Sequence, residues 1–417
     1  MALCDLKEQV AAEPPPGTLD LPKGVPRLRA FYIYLSDNCN LRCRHCWIVP
    51  RFTNGKPDPG RVVDVEALRE AVREAKTLGL SSAKLTGGEP MLHPRFMEVV
   101  DLLTAEGLGL YMETNGTLLT AEAARHLKDK TRVTFISVSL DGADARTHDA
   151  FRGVEGAFDA ALKGLSYLMD AGFKNTQVIM SVHHGNSAQV EAVVNLAAAH
   201  GAASVKLNPV TRTGRGTAMH ERGEDLDFDE QMELARYIDD DLGPRAPIDV
   251  TLGMPPALSS LHRLQRTQGN CGDCGVRGIL GILGTNEYAL CGIGSTCPEF
   301  VYGKLGKDSI RDIWSNNPTI LLLRRALADV DSFPGICARC IFARVCRTGC
   351  VADNYAVSGH LIAPHWLCTE AARRGLFPTA RAQRRSSSGE GKRGNGQVTD
   401  DEERSEIGEW RNKKSQA

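Results

Sequence analysis

The feature that most constrains the fold is a sixfold alternation of strand-like and helix-like stretches between Phe31 and Pro209. The first strand-like run reads FYIYLS and the last reads SVKLNP, and amphipathic stretches such as VEALREAVREAKT separate such runs. Because consecutive parallel strands need a crossover helix between them, this alternation predicts a parallel sheet. We therefore expect an α/β fold, a partial (β/α)6 TIM-like barrel followed by a small cysteine-rich module.

Polar residues and glycines collect where the predicted strands end. These ends fall near Ser36, Gly87, Asn115, Asp141, His183 and Pro209. Active sites of parallel α/β barrels are built at the carboxyl ends of the strands. We expect the functional site at this edge.

Three cysteines follow the first predicted strand within eight residues. Cys39, Cys43 and Cys46 have the spacing C-x3-C-x2-C, and the chain has 13 cysteines in 417 residues. No secretion signal or bilayer-length apolar run is present, so we expect a cytoplasmic protein whose thiols stay reduced. Three thiolates can hold a four-iron cluster and leave one iron open. A zinc knuckle, or surplus buried thiols, is the alternative reading.

This cysteine motif, placed directly after a first strand, resembles that of the radical SAM enzymes. The resemblance implies that Cys39, Cys43 and Cys46 bind a 4Fe-4S cluster and that S-adenosylmethionine (SAM) binds the open iron. An electron passed from the cluster to SAM would then release a 5'-deoxyadenosyl radical.

The segment TGGEP at the end of the second strand resembles the GGEP motif of the same family. Two glycines allow a ligand to approach the backbone closely, and the proline fixes the turn that follows. The resemblance implies that Gly87, Gly88, Glu89 and Pro90 contact the amino group of SAM. Taken alone, such a segment is also an ordinary strand-to-helix turn.

The resemblance extends to four further positions near the barrel mouth. It implies that Asn115, Ser139 and Asp141 contact the ribose and adenine of SAM, and that Arg152 meets its carboxylate. A guanidinium suits a carboxylate because it can donate two parallel hydrogen bonds. Helix capping or turn formation is the alternative role for each polar residue.

A second group of cysteines lies between residues 271 and 368, and resembles the SPASM extension of radical SAM enzymes. The stretch GILGILGTNEYALC within it predicts a β-hairpin that delivers Cys291. The resemblance implies two auxiliary 4Fe-4S clusters. By family order the first would be held by Cys271, Cys274, Cys291 and Cys350, and the second by Cys337, Cys340, Cys346 and Cys368. Zinc is the alternative metal, because C-x2-C pairs also build zinc ribbons. Cys297 lies outside both sets and is a weak candidate for a hydrogen-atom donor or substrate contact.

The SPASM resemblance implies a maturase that crosslinks or oxidises a ribosomal peptide or protein side chain. Radical oxidation of a small molecule in haem or cofactor biosynthesis is the first alternative, and a non-catalytic iron-sulfur or zinc protein is the second. The family also implies an external one-electron reductant such as flavodoxin or ferredoxin. Peptide maturases often carry an N-terminal leader-recognition domain, and a first strand starting near Phe31 leaves no room for one here. We therefore expect leader recognition to use a separate protein, the surface of the second module or the tails. A net charge of -1 gives no basic footprint for nucleic acid, and we expect no membrane partner either.

The composition divides the chain into five predicted segments. They are an extended N-terminal segment (1–27), the radical SAM partial barrel (28–230), a helical connection (231–270), the SPASM module (271–375) and a disordered charged tail (376–417).

Overall fold

The structure is a computed structural model that describes residues 19–383, apart from residues 20, 55, 57 and 267–274. The predictions for the N-terminal segment up to residue 18, for Cys271 and Cys274, and for the tail from residue 384 lie outside the described residues.

One ten-stranded sheet organises the part of the chain that is described. In chain order the strands are β1 (Ala30–Ser36), β2 (Asn38–Cys39), β3 (Arg51–Phe52), β4 (Ser82–Gly87), β5 (Gly109–Thr114), β6 (Val133–Ser139), β7 (Thr176–Val182), β8 (Ser204–Pro209), β9 (Asp249–Leu252), β10 (Ile279–Ile282), β11 (Glu287–Ala289) and β12 (Val301–Lys304). The sheet has the order β12-β11-β10-β1-β4-β5-β6-β7-β8-β9, and it is parallel from β10 to β9. Strands β2 and β3 form a separate pair. The consecutive parallel strands β1 and β4 to β8 confirm the predicted α/β partial barrel.

The helices of the barrel connect these strands, and those of the second module follow the sheet. They are α1 (Val65–Thr77), α2 (Phe96–Ala105), α3 (Ala121–Lys130), α4 (Ala145–Arg152), α5 (Ala157–Asp170), α6 (Val190–Ala199), α7 (Arg215–Glu221), α8 (Phe228–Tyr237), α9 (Gly243–Arg245), α10 (Leu261–Arg266), α11 (Ile310–Asn316), α12 (Pro318–Ala328), α13 (Ala343–Cys346), α14 (Val351–Ser358) and α15 (Trp366–Arg373). Side-chain caps set where several of them begin; Asp64 accepts from Ala67 N at the start of α1, for example.

The two faces of the barrel sheet differ in polarity because side chains alternate along each strand. On β5, Leu110 and Met112 are fully buried on the face against which helices pack. Tyr111 and Glu113 occupy the other face and keep part of their surface accessible. This alternation leaves polar side chains pointing into the barrel interior.

The second module is joined to the barrel through the sheet itself. The hairpin of β10 and β11 is present, and β10 pairs in parallel with β1, so that Ala30 lies opposite Ile279. On the outer surface, Glu74 of α1 accepts hydrogen bonds from the backbone N–H groups of Ile310 and Arg311 at the start of α11. The cysteine-rich module is therefore an extension of the barrel sheet.

The segment 231–270, predicted as a helical connection, also contains strand β9, which pairs with β8. Its short DVTL sequence lies in a region rich in helical patterns, so the strand is only evident from its pairing. Among the described residues, no helix combines the length and the apolar character needed to cross a bilayer.

Candidate active site

The three cysteines of the C-x3-C-x2-C motif lie on the loop that follows β1. Cys39 and Cys43 are buried together with Leu41 and Ala157, and Cys46 packs against the same group. Strand β2 pairs with β3, which closes the loop at its base. All three side chains are free thiols, and burial raises the pKa of each of them. Three thiolates grouped in this way would need a compensating positive charge, which iron supplies when bound.

The TGGEP segment packs directly on this loop. Gly88 N donates to Ser36 O at 2.8 Å and Glu89 N donates to Asn38 O at 2.9 Å. A Cβ added at Gly88 would stand 2.0 Å from Asn38 O. Only glycine allows so close an approach, which explains one of the two glycines in the motif.

Glu89 is fully buried beneath the cysteine loop and accepts three hydrogen bonds. The donors are Thr114 Oγ1 at 2.7 Å, Asn115 N at 2.8 Å and Met91 N at 3.2 Å. Burial raises the pKa of Glu89 to about 7 in spite of these donors. The carboxylate thus links the ends of β4 and β5 at the barrel mouth.

Asn115 connects the end of β5 to the cysteine loop. Its Nδ2 donates to Asn40 Oδ1 at 2.9 Å and lies 4.0 Å from Cys39 Sγ, while its Oδ1 accepts from Thr117 N at 2.9 Å. Of the predicted SAM contacts, Gly88, Glu89 and Asn115 are therefore brought together around one side of the loop.

Asp141 and Arg152 form a buried ion pair on another side of the same loop. Arg152 Nε and Asp141 Oδ2 are 2.5 Å apart, and Arg152 Nη1 lies 3.6 Å from Cys43 Sγ. Burial alone would raise the pKa of Asp141, but the Arg152 charge holds it below its ordinary value. Ser139, also predicted to contact SAM, is the last residue of β6 and is partly accessible.

Two further features at the loop escaped the sequence analysis. Arg215, at the start of α7, donates to Cys43 O at 3.0 Å and to Pro50 O at 3.2 Å, which ties the loop to the end of β8. His45 stacks on Phe151 with ring centroids 4.5 Å apart, and Phe151 stacks on His183 at 4.2 Å. The only available signal was their position, His45 between two motif cysteines and Arg215 after a predicted strand.

The barrel interior holds a charged pair below the mouth. Lys84 Nζ donates to both Glu113 carboxylate oxygens at 3.2 Å and lies 4.3 Å from the centre of the Tyr32 ring. The Glu113 side chain keeps 31% of its surface accessible, so the pair lines an open interior. Paired charges are costly to bury, so this pair marks a polar, partly accessible region of the barrel interior.

Four cysteines of the second module line one pocket. They are Cys337, Cys340, Cys346 and Cys368, the set predicted to hold the second auxiliary cluster. The other walls are mainly apolar, and include Phe342 and Phe377. Burial raises the pKa of Cys337 to about 12, with a further rise from the neighbouring Cys340.

The remaining described cysteines gather at the end of the hairpin. Burial raises the pKa of Cys291 to about 12, and the nearby thiols of Cys350 and Cys297 raise it further. Cys350 is exposed and Cys297 is half-buried. The predicted ligands Cys291 and Cys350 are thus neighbours, and Cys297 lies beside them.

Within the described ranges, no three His, Cys, Asp or Glu side chains are grouped so as to hold a single metal ion. A four-iron cluster makes a different demand, because each thiolate binds its own iron and the sulfurs stand apart. Three thiols grouped on one short loop fit such a cluster, and so do four thiols lining one pocket.

A parallel partial barrel with three thiols after its first strand defines an iron-sulfur enzyme class that acts at the carboxyl ends of the strands. The family model described as the Radical SAM superfamily matches residues 33–197. The match identifies a radical SAM domain that spans the barrel strands β1 to β7. The protein is therefore an enzyme that uses SAM and a 4Fe-4S cluster.

Relatives match over most of the chain. The mycofactocin maturase MftC of Mycolicibacterium smegmatis is 29% identical over 363 residues, which cover 81% of each chain. The AdoMet-dependent heme synthase of Methanosarcina barkeri is 29% identical over 353 residues, which cover 82% of this chain and 96% of the relative. The solved structure of native anSMEcpe with bound AdoMet and the Cp18Cys peptide has a TM-score of 0.61 at 15% identity, covering 84% of this chain and 98% of that one. These matches include the second module, so the likeness is not limited to the barrel.

Proposed function

We propose that this enzyme is a maturase that oxidatively modifies a side chain of a ribosomal peptide or protein, using two auxiliary 4Fe-4S clusters. The observation that carries the proposal is the pocket whose walls include Cys337, Cys340, Cys346 and Cys368. Oxidising a substrate by hydrogen-atom removal leaves an electron to be taken up, and an additional cluster is a suitable acceptor.

One group of residues at the barrel mouth would bind the cluster, and a second group would bind the cosubstrate SAM. Cys39, Cys43 and Cys46 hold the first cluster, which supplies the electron for SAM cleavage when bound. The segment 87–90 and Asn115 contact SAM in the proposal, as do Ser139 and Asp141. These side chains hold the cosubstrate against the cluster and orient its reacting group.

Two interleaved sets of cysteines would hold the auxiliary clusters. The first set is Cys271, Cys274, Cys291 and Cys350, and the second is Cys337, Cys340, Cys346 and Cys368. The second set, ending in Cys368, has the support of the shared pocket. The first set has the support that Cys350 lies near enough to Cys291 to raise the pKa of its thiol. Its other two members, Cys271 and Cys274, rest on the resemblance alone.

A peptide substrate is favoured by two observations. The related structure of anSMEcpe contains a peptide together with AdoMet, and this chain covers 98% of it. The interior of the barrel here is lined by Lys84, Glu113 and Tyr32, which offer polar contacts to a side chain. A small-molecule substrate is the second candidate, because the AdoMet-dependent heme synthase is matched along 96% of its length.

The enzyme would work with two protein partners in the cytoplasm. A flavodoxin or ferredoxin would deliver single electrons, and a separate protein would present the peptide leader. The compartment would be the reducing cytoplasm, where clustered cysteines serve metal binding more often than disulfide formation.

Iron content tests the auxiliary clusters. Anaerobically reconstituted Cys368→Ala should hold about four irons fewer per chain than the wild type, because one cluster loses a ligand. Cys297→Ala is the matched control and should keep its iron, since Cys297 belongs to neither set. Equal iron in wild type and Cys368→Ala, or zinc in its place, would contradict the second auxiliary cluster.

Mass spectrometry tests the substrate class. The reduced enzyme would be incubated with SAM and either a short peptide encoded beside its gene or a carboxylated porphyrin. Loss of two hydrogens from the peptide supports the maturase proposal. Oxidation of the porphyrin with an unchanged peptide would contradict the maturase proposal and support the small-molecule alternative.

A further inference from the structure

The ion pair between Asp141 and Arg152 lies beside the cysteine loop, and its elements help to hold that loop in place. Arg152 is the last residue of α4, and the backbone carbonyls of Phe151 and Arg152 accept hydrogen bonds from Arg44 N at 3.0 Å and Arg42 N at 2.9 Å. These are carbonyls that a helix end leaves without intrahelical partners. The end of α4 is thereby fastened to the loop that carries Cys43.

Asp141 is held as firmly as its partner. Its Oδ1 accepts from Ser181 N at 2.8 Å, its backbone N donates to His148 Nδ1 at 3.0 Å, and its carbonyl accepts from Asn186 Nδ2 at 2.8 Å. Asp141 is fully buried and Arg152 is only 6% exposed. Neither side chain can turn toward solvent without breaking this network.

The orientation of the guanidinium follows from these anchors. Arg152 Nε faces Asp141 Oδ2 at 2.5 Å, and Nη1 faces Cys43 Sγ at 3.6 Å. With these two contacts in place, a bidentate grip on the SAM carboxylate would have to use Nη2 together with the second N–H of Nη1. The contact with Cys43 Sγ thus gives Arg152 a role toward the cysteine that does not depend on SAM.

We propose that Arg152 is a positioning residue that donates a hydrogen bond to the Cys43 sulfur and, together with Asp141, sets the reduction potential of the three-cysteine cluster. Hydrogen bonds to cluster sulfurs and the local net charge are two of the factors that fix such potentials. A buried positive charge beside the cluster favours the reduced form, because reduction adds an electron in a medium of low dielectric constant. Arg152 raises the potential, and the Asp141 charge opposes it.

The inference rests on the cluster held by Cys39, Cys43 and Cys46, and its test follows the potential of that cluster. The wild-type chain and variants would be reconstituted anaerobically and titrated with dithionite, while EPR records the 4Fe-4S signal that changes when SAM is added. Arg152→Gln should lower the midpoint potential, and Asp141→Asn should raise it. Arg152→Lys, which keeps the charge but loses the planar fork, should give a smaller fall and replaces the glutamine variant if that one binds no iron.

Arg44→Gln is the matched control. Arg44 lies on the same loop, but its side chain is 43% exposed and pairs with Glu224 at 2.7 Å. Water screens its charge, so its removal should leave the potential unchanged. Opposite shifts in Arg152→Gln and Asp141→Asn support the proposal, because general loosening of the loop would move both potentials in one direction.

Three results would overturn the proposal. Shifts of the same sign in the two variants, or potentials equal to the wild type, refute the electrostatic role while leaving the enzyme class intact. An unchanged potential with lost SAM binding would return Arg152 to the SAM carboxylate. A wild-type chain without any SAM-sensitive 4Fe-4S signal would remove the cluster itself, and the proposed function with it.

Discussion

The contact between the TGGEP segment and the cysteine loop yields a quantitative prediction for Gly88→Ala. The added Cβ would stand 2.0 Å from Asn38 O and 2.6 Å from the carbonyl carbon, and both of these are backbone atoms that cannot rotate away. Real Cβ atoms essentially never approach closer than 3.0 Å. The two segments must separate by about 1 Å, because overpacked sites relieve such contacts by backbone shifts.

The cost of that separation has two parts. Overpacking of this kind destabilises a fold by about 1–3 kcal/mol. Gly88 is not in the left-handed backbone region, so the added methyl group alone causes the strain. A displacement of about 1 Å at a reacting centre can slow catalysis by about 100-fold. We therefore expect a large loss of SAM cleavage beside a modest loss of stability.

The assay measures 5'-deoxyadenosine after addition of dithionite and SAM, together with the thermal unfolding midpoint. Gly60→Ala serves as the control, because a Cβ at Gly60 meets only Asp58 Oδ1 at 3.5 Å, an ordinary contact. It should leave both quantities unchanged. Wild-type SAM cleavage in Gly88→Ala would refute the reasoning, since the close backbone contact would then have no bearing on the site.

Three further predictions concern charge and metal. Burial lowers the pKa of His148 to about 4, whereas the unfolded chain binds this proton near pH 6.5. The contribution of the neutral histidine to stability is therefore fully present above pH 6.5 and is lost as the pH falls toward 4. His148→Asn keeps an acceptor for Asp141 N. Between pH 7.5 and 5.5, its free energy of unfolding should fall by about 1–2 kcal/mol less than that of the wild type. An equal fall in the two proteins would contradict a buried neutral histidine. A double-mutant cycle with Lys84→Met and Glu113→Gln should give a coupling energy of about 1–2 kcal/mol in denaturant unfolding, whereas additive effects would show that the pair is not formed. Removal of iron by an anaerobic chelator should abolish SAM cleavage, and iron with sulfide should restore it; cleavage by the iron-free chain would contradict the site.

The strand pattern of the barrel was readable in the sequence because each strand has a buried face and most of the strands end in a glycine or a polar residue. β4 and β8 end at Gly87 and Pro209, as expected, and β5 ends at Thr114, one residue before the expected Asn115. Local periodicity and turn-forming residues are short-range properties, so they can be read from a single sequence. The hairpin that delivers Cys291 was predictable for the same reason.

The long-range pairings were not predictable. Arg152 meets Cys43 across 109 positions of sequence, and Arg215 meets the Cys43 carbonyl across 172. Nothing in the spacing of such residues indicates a contact, because the fold brings them together. For the same reason the pairing of β10 with β1, which merges the second module with the barrel, appears only in the structure.

The most direct test of the central claim measures iron and 5'-deoxyadenosine together. Anaerobically reconstituted wild type should contain about twelve irons per chain, in three clusters, and should cleave SAM after reduction. The triple variant Cys39→Ala, Cys43→Ala and Cys46→Ala should keep about eight irons and form no 5'-deoxyadenosine. Continued formation of 5'-deoxyadenosine by the triple variant would contradict the assignment of the active cluster to the loop after β1.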